Sequence, residues 1–381
     1  MDDSFQSTPV LHRICLLAVA ALGCSGEAVA PPPARAATAE LRSVQGPKTT
    51  PQTSGTTNRL QAVSPVDEHV VWASGLGGTY VVTTDGGEHW KANVVPGAAN
   101  LQFRDVQGVS AKVAYLLSSG SGTDSRIYKT EDGGQTWKLQ FQAPDDPAFF
   151  YDCFAFWTPE RGVTMADGIN ATGQFPAIRT TDGRTWKAIQ LPPAQANEGA
   201  FAASGTCVAT RKQTRAWIVT TNSRVFVTHD GGDRWAAYQA PIAGGTGTAG
   251  LFTVAFRDAQ RGVVGGGDFA SALTVDNFAR SRDGGKTWHL TTKAPVPGAI
   301  FGLAYALGKD DAEDEGEDNE QRGGAPKNVV VTGPGGTAWT ADEGDSWNSL
   351  AGVTGFWAVA FANERTGWLV GTGGRILKVT F

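Results

Sequence analysis

Arg104, Asp105 and Asp152 are the residues whose types and spacing come nearest to a reactive set. Two carboxylates at a fixed separation are what glycoside hydrolysis requires, one acting as acid and the other as base or nucleophile. The rest of the chain adds little to that chemistry. Its five histidines (His12, His69, His89, His229 and His289) contain no pair at metal-ligand spacing. There is no nucleophile elbow, no phosphate-cradling glycine loop and no dinucleotide fingerprint. The glycine-rich run 262–268 has strand spacing and no helix after it, so it reads as a tight strand. No cofactor or metal is therefore expected. The competing reading of Arg104, Asp105 and Asp152 is a paired polar network on the wall of a wet channel.

A different pattern dominates the chain. The stretch KTEDGGQTW, ending at Trp137, returns in six versions, each with an aspartate and a tryptophan. The pairs are Asp85 and Trp90, Asp132 and Trp137, Asp182 and Trp186, Asp230 and Trp235, Asp283 and Trp288, and Asp342 and Trp347. Six copies of one reactive centre would be unusual, whereas six copies of one corner are what a repeated fold needs. Gly133 and Gly134 can take positive φ in a tight turn. The Asp132 carboxylate can accept turn N–H groups that lack a strand partner. Thr130 and Thr136 can add hydroxyl bonds, and Trp137 can bury its ring beneath the turn. The third copy lacks a glycine and the sixth carries Glu343 in place of one, so distorted turns are expected there.

The tryptophans are 47, 49, 49, 53 and 59 residues apart, a drifting period that marks a propeller or similar array. Each interval holds three further short apolar runs. The last unit has three strands, FWAVAF, GWLVGTG and GRILKVTF, where the others have four. Seven four-stranded blades result if an N-terminal strand, expected near 39–45, completes the last sheet and closes the ring. The expectation is an all-β seven-bladed propeller over residues 57–381, about 46 residues per blade.

Composition agrees. The chain has 381 residues, 49 of them glycine, and only 18% are charged. The net charge of −5 resides in one acidic insert within 309–326. The remainder lacks the field that nucleic acid or an anionic membrane surface would demand. The insert reads as a solvated loop. Residues 1–24 read as a signal peptide: Arg13 precedes an apolar run too short to span a bilayer, and Cys24 follows Gly23 as a candidate lipidation site. Residues 25–56 read as a flexible linker.

Cys153 and Cys207 align at one position of adjacent first strands, a slot that holds Ala62, Asp105, Thr253, Gly302 and Ala358 in the other blades. Export favours a disulfide. Equivalent residues point the same way around a ring, however, so two free, buried thiols are expected.

The boxes, the string ERTGWLVGTGGRILK and the seven units resemble the photosystem II stability/assembly factor family of Asp-box, or bacterial neuraminidase repeat, propellers. The likeness spans about residues 57–381. It implies a non-catalytic scaffold that holds a membrane-protein client during assembly. Asp-boxes also occur in sialidases and xyloglucan hydrolases, which keeps a carbohydrate-active hydrolase with Asp105 and Asp152 at its centre as the alternative. A sialidase would need an arginine triad, a Tyr–Glu pair and a Phe-Arg-Ile-Pro stretch, which FPAIR at 175–179 does not match. The acidic insert and the altered sixth box depart from the family pattern.

Strand alternation puts the boxes on the same face as the loops joining first and second strands. Arg126, Arg224 and Arg375 share a position near the opposite face. With Arg104 they are expected to form a basic arc around the channel mouth that grips an acidic or polar segment of a protein partner. Ordinary surface arginines at strand ends are the competing reading. The whole is an exported, monomeric binding scaffold, periplasmic or anchored by lipid.

Overall fold

Second strands such as Val71–Gly75, Ala114–Ser118 and Val329–Gly333 are buried at every position. A run apolar on both faces must be covered on both sides, and a ring of sheets packed face to face supplies that cover. The computed structural model describes residues 46–308 and 327–381. The expected signal peptide, Cys24, the 39–45 segment and the acidic insert lie outside the described residues. The described part forms seven antiparallel four-stranded sheets, and no α-helix occurs within it. In six blades the four strands follow chain order from the axis outward, as in blade 1: Leu60–Pro65, Val71–Gly75, Thr79–Thr83 and Lys91–Val94. The first strand of blade 1 packs against those of blades 2 and 7, so the ring is closed.

Closure comes from Lys48–Gln52, which pairs antiparallel with Ile376–Thr380 as the outer strand of blade 7. It lies downstream of the 39–45 segment expected to do this. Its sequence, KTTPQ, is half-exposed and carries no apolar alternation, so hydrophobic patterning does not mark it. Pro51 is tolerated because an outer strand need not donate on its free edge. Gln52 fixes the seam. Its Oε1 accepts from the indole N–H groups of Trp90 and Trp368, both at 3.1 Å, and its Nε2 donates to the Gly86 carbonyl at 3.1 Å.

The Asp-box is a hydrogen-bonded corner. Thr130 Oγ1 donates to Asp132 Oδ1 at 2.9 Å and accepts from the Gly134 N–H at 2.9 Å. Asp132 then accepts from the Thr136 N–H at 2.9 Å and from its hydroxyl at 2.5 Å. The two turns expected to be distorted are not. Blade 3 makes the same bonds with one residue fewer, from the Gly183 N–H to Thr180 Oγ1 and from the Thr185 N–H to Asp182 Oδ1. In blade 6, Glu343 adopts the glycine conformation at φ 58°, and Thr340, Asp342 and Ser346 repeat the standard contacts. The threonine–aspartate pair sets the corner, and the glycines only ease it.

Each box also receives a donor from the preceding blade. Tyr80 Oη donates to the Gly134 carbonyl at 2.6 Å, Tyr115 Oη to Gly183 at 3.1 Å and Arg179 Nη1 to Gly231 at 2.9 Å. Trp217 Nε1 reaches Gly284 at 2.8 Å, and Lys378 Nζ reaches Gly86 at 3.2 Å. At the junction of blades 5 and 6 the Glu343 side chain takes this role. Its Oε1 accepts from Arg257 Nε at 2.6 Å and from the Tyr305 hydroxyl at 3.0 Å, all three groups being buried. The corners therefore rivet neighbouring blades as well as their own.

Cys153 and Cys207 form a disulfide, with Cα atoms 5.9 Å apart, contrary to the expected free thiols. Side chains in this slot point along the ring towards the next first strand. Asp105 Oδ2 accepts from the Phe154 N–H at 2.8 Å, and Thr253 Oγ1 accepts from the Leu303 N–H at 3.2 Å. A cysteine in one slot thus meets a cysteine in the next. Cross-linking residues 54 apart constrains the unfolded chain by about 4 kcal/mol on the loop-entropy account.

Candidate functional site

The slot has a neighbour of different character. In five blades the first strand slips register against the second by one residue, leaving Gln61, Arg104, Asp152, Phe252 and Trp357 unpaired. A β-bulge of this kind re-aims the side chain of the extra residue. Thr206 and Phe301 occupy the matching place in blades 4 and 6. Read around the axis, the column is Gln, Arg, Asp, Thr, Phe, Phe, Trp. One side of the ring is polar and the other aromatic.

Four of these residues, Arg104, Phe252, Phe301 and Trp357, line a cavity of about 610 Å³ on the face away from the boxes. Its apolar wall is a stack. Phe201 lies on Phe252 with centroids 3.9 Å apart and planes at 6°, and Phe252 lies on Phe301 at 5.2 Å and 14°. Trp357 meets Phe301 at 5.0 Å, and the Arg59 guanidinium covers the Trp357 ring at 4.1 Å. Phe269, 47% exposed, presents its edge to the stack from the blade 5 loop, and Leu273 on the same loop is 73% exposed.

The polar wall comes from blades 2 and 3. Arg104 lies over Phe150, donates to Gln102 Oε1 at 3.2 and 2.9 Å, and donates to the Ala202 carbonyl at 3.1 Å. Asp167 lines the cavity and follows the second strand of blade 3. Burial pushes its carboxyl up to about 6, against the opposing pull of Arg104. Asp152 is fully buried, and neither of its carboxylate oxygens has a hydrogen-bond partner among the described residues. Burial and the nearby Asp167 charge push it well above the usual carboxylate range. Both polar atoms of the Gln61 side chain are likewise buried without a partner.

Asp105 is placed differently. Its oxygens accept from the backbone N–H groups of Val106 at 2.7 Å and Phe154 at 2.8 Å, so it pins two first strands together. The four arginines expected to form a basic arc sit in different surroundings. Of these only Arg104 lines the cavity. Arg224 is buried, engaged by Glu198 and the Pro193 carbonyl. Arg126 donates to the Thr123 carbonyl at 2.7 Å, and Arg375 to the Thr354 carbonyl at 2.6 Å while lying over Phe356. On the box face, Asp85, Glu88 and His89 bring their ligand atoms within 4.8 Å of one another, but Asp85 is already bonded to the His89 N–H and ring. Sequence reasoning missed the aromatic wall. The signal was available: a bulky, variable column stands beside a column of small residues in the aligned first strands.

The match to known proteins follows this architecture. The BNR/Asp-box repeat family matches residues 279–290, the corner of blade 5. The photosystem II assembly protein Ycf48 of Synechococcus sp. is 25% identical over 277 residues, covering 61% of this chain and 75% of that protein. The photosystem II assembly lipoprotein Ycf48 of Synechocystis sp. is 28% identical over 128 residues, 32% of this chain and 34% of that one. A solved structure described as YCF48 bound to D1 peptide superposes with a TM-score of 0.58 at 17% identity, covering 88% of this chain and 97% of that one, and shows a common fold. The molecule is thus a seven-bladed propeller of Asp-box repeats. Within that class it resembles the photosystem II assembly factors, as the motifs in its sequence imply.

Proposed function

We propose that this chain is an exported, non-catalytic scaffold that holds a segment of a protein client in the cavity opposite the Asp-boxes. The observation that carries the reading is the cavity itself. Matching first-strand positions, five of them bulged, set Phe252, Phe301 and Trp357 on one part of the lining and Arg104 on another, a combination suited to ligand capture. Similarity to assembly proteins, one of them solved with a peptide, supports a membrane-protein assembly intermediate as the client. The relative named a lipoprotein supports anchoring at Cys24, and the disulfide fits an oxidising compartment. The scaffold acts as a monomer. A hydrolase built on Asp105 and Asp152 is disfavoured because backbone N–H groups engage both oxygens of Asp105.

Capture from membranes of the source organism tests the reading. Wild type should retain a defined membrane-protein client, and Phe269→Ser with Trp357→Leu should lose it at unchanged melting temperature. Retention of the same client by the double variant would overturn it, as would turnover of a glycoside abolished by Asp152→Asn.

A further inference from the structure

The cavity's charged groups differ in how far they are engaged. Arg104 donates to Gln102 Oε1 and the Ala202 carbonyl, and Glu198, which also lines the cavity, is held by Arg224, Thr220 and the Gln195 N–H. Asp167 is not so engaged. Its backbone N–H donates to the Phe150 carbonyl at 2.9 Å, and among the described residues no side chain donates to its carboxylate. Asp152, within its electrostatic reach, is fully buried with both oxygens unpartnered. One carboxylate on the cavity lining, Asp167, therefore lacks a side-chain donor and has the buried Asp152 charge site near it, while another part of the lining is aromatic, and aromatic faces favour cations and apolar groups alike.

We propose that the cavity selects a client segment in which an apolar side chain adjoins a lysine or arginine, the apolar group lying on the Phe201–Phe252–Phe301 stack and the cation on Asp167 with Asp152 beside it. This rests on the client-cavity reading above and adds the charge of the ligand. A volume of about 610 Å³ accommodates a few residues, so two adjacent side chains are within its capacity. An incoming ammonium or guanidinium supplies the donor that Asp167 lacks, and charge-assisted bonds in a half-buried site are stronger than neutral ones. Asp167 faces Asp152 and Arg104, and with its proton leaving at about 6, recognition strengthens as pH rises through that value.

The test uses three capped tetrapeptides, acetyl-Ala-Phe-X-Ala-amide with X as lysine, norleucine or glutamate, titrated calorimetrically into the full chain. The lysine probe should bind about tenfold more tightly than the norleucine probe at pH 7.5, and the glutamate probe most weakly. The lysine advantage should vanish at pH 5 and in Asp167→Asn, whose fold is checked by its melting temperature. Equal binding of all three probes overturns the charge preference and leaves the client cavity standing, as does tightest binding by the glutamate probe. Failure of every probe to bind overturns both.

Discussion

The two faces of the ring follow opposite rules. On the box face six corners repeat one set of hydrogen bonds, and where blade 6 departs in sequence its Glu343 adopts the left-handed conformation of the glycine it replaces and finds buried partners. On the opposite face the seven bulge-column residues share a backbone position and nothing else, and Gln61 and Asp152 keep buried polar atoms without partners. Uniform corners, each closed by the same hydroxyl–aspartate hydrogen bonds, supply stability. Divergent, unsatisfied positions are where recognition can reside, because each can be changed without altering its neighbours' geometry.

Several measurements would break or sharpen this contrast. Replacing Cys153 and Cys207 by alanine should cost about 4 kcal/mol in denaturant unfolding, and intact mass before and after alkylation should show both thiols blocked in the native protein. Glu343→Gly restores the consensus corner yet should destabilise by about 3 kcal/mol. Losing a buried ion-pair partner outweighs the relief of a left-handed residue. A gain in stability would show that the corner, and not its inter-blade contact, dominates. Gln52→Leu removes three hydrogen bonds at the seam and should cost about 2 kcal/mol. Arg375→Glu should change stability by less than about 0.5 kcal/mol and leave client capture unchanged.

The two faces should also titrate in opposite senses. Hydrogen bonds from Thr136 lower Asp132 from its ordinary 3.8 to about 2, so the folded corner binds fewer protons than the unfolded chain and loses stability as pH falls through that interval. Burial raises Asp167 to about 6, so there the folded state binds more protons and stability falls as pH rises from about 4 to 6. A melting-temperature profile should climb on the acid side and decline between about pH 4 and 6. Asp167→Asn should lessen the decline, to which the raised Asp152 and Asp105 also contribute, and leave the climb intact.

Much of the fold was legible because the boxes combine a fixed spacing with unusual residues, and because fully buried second strands read as unbroken apolar runs. The closing strand was misplaced since an outer strand half in water, KTTPQ, has no period to read. The disulfide was missed because the direction in which the slot's side chains point, along the ring towards the next blade, is a property of blade twist and cannot be seen in an alignment. The arginines were misjudged for a related reason. Spacing places Arg224 at a strand end, but only the packed loop brings Glu198 against it. The bulges escaped notice because one inserted residue barely perturbs the alternation on either side.

The seam at Gln52 has a consequence for synthesis. The strand that completes blade 7, Lys48–Gln52, is made long before its partner, Ile376–Thr380. A ribosome must therefore make residues 376–380 before the circle can lock. A product lacking them would leave Trp90, Trp368 and two sheet edges exposed to quality-control proteases.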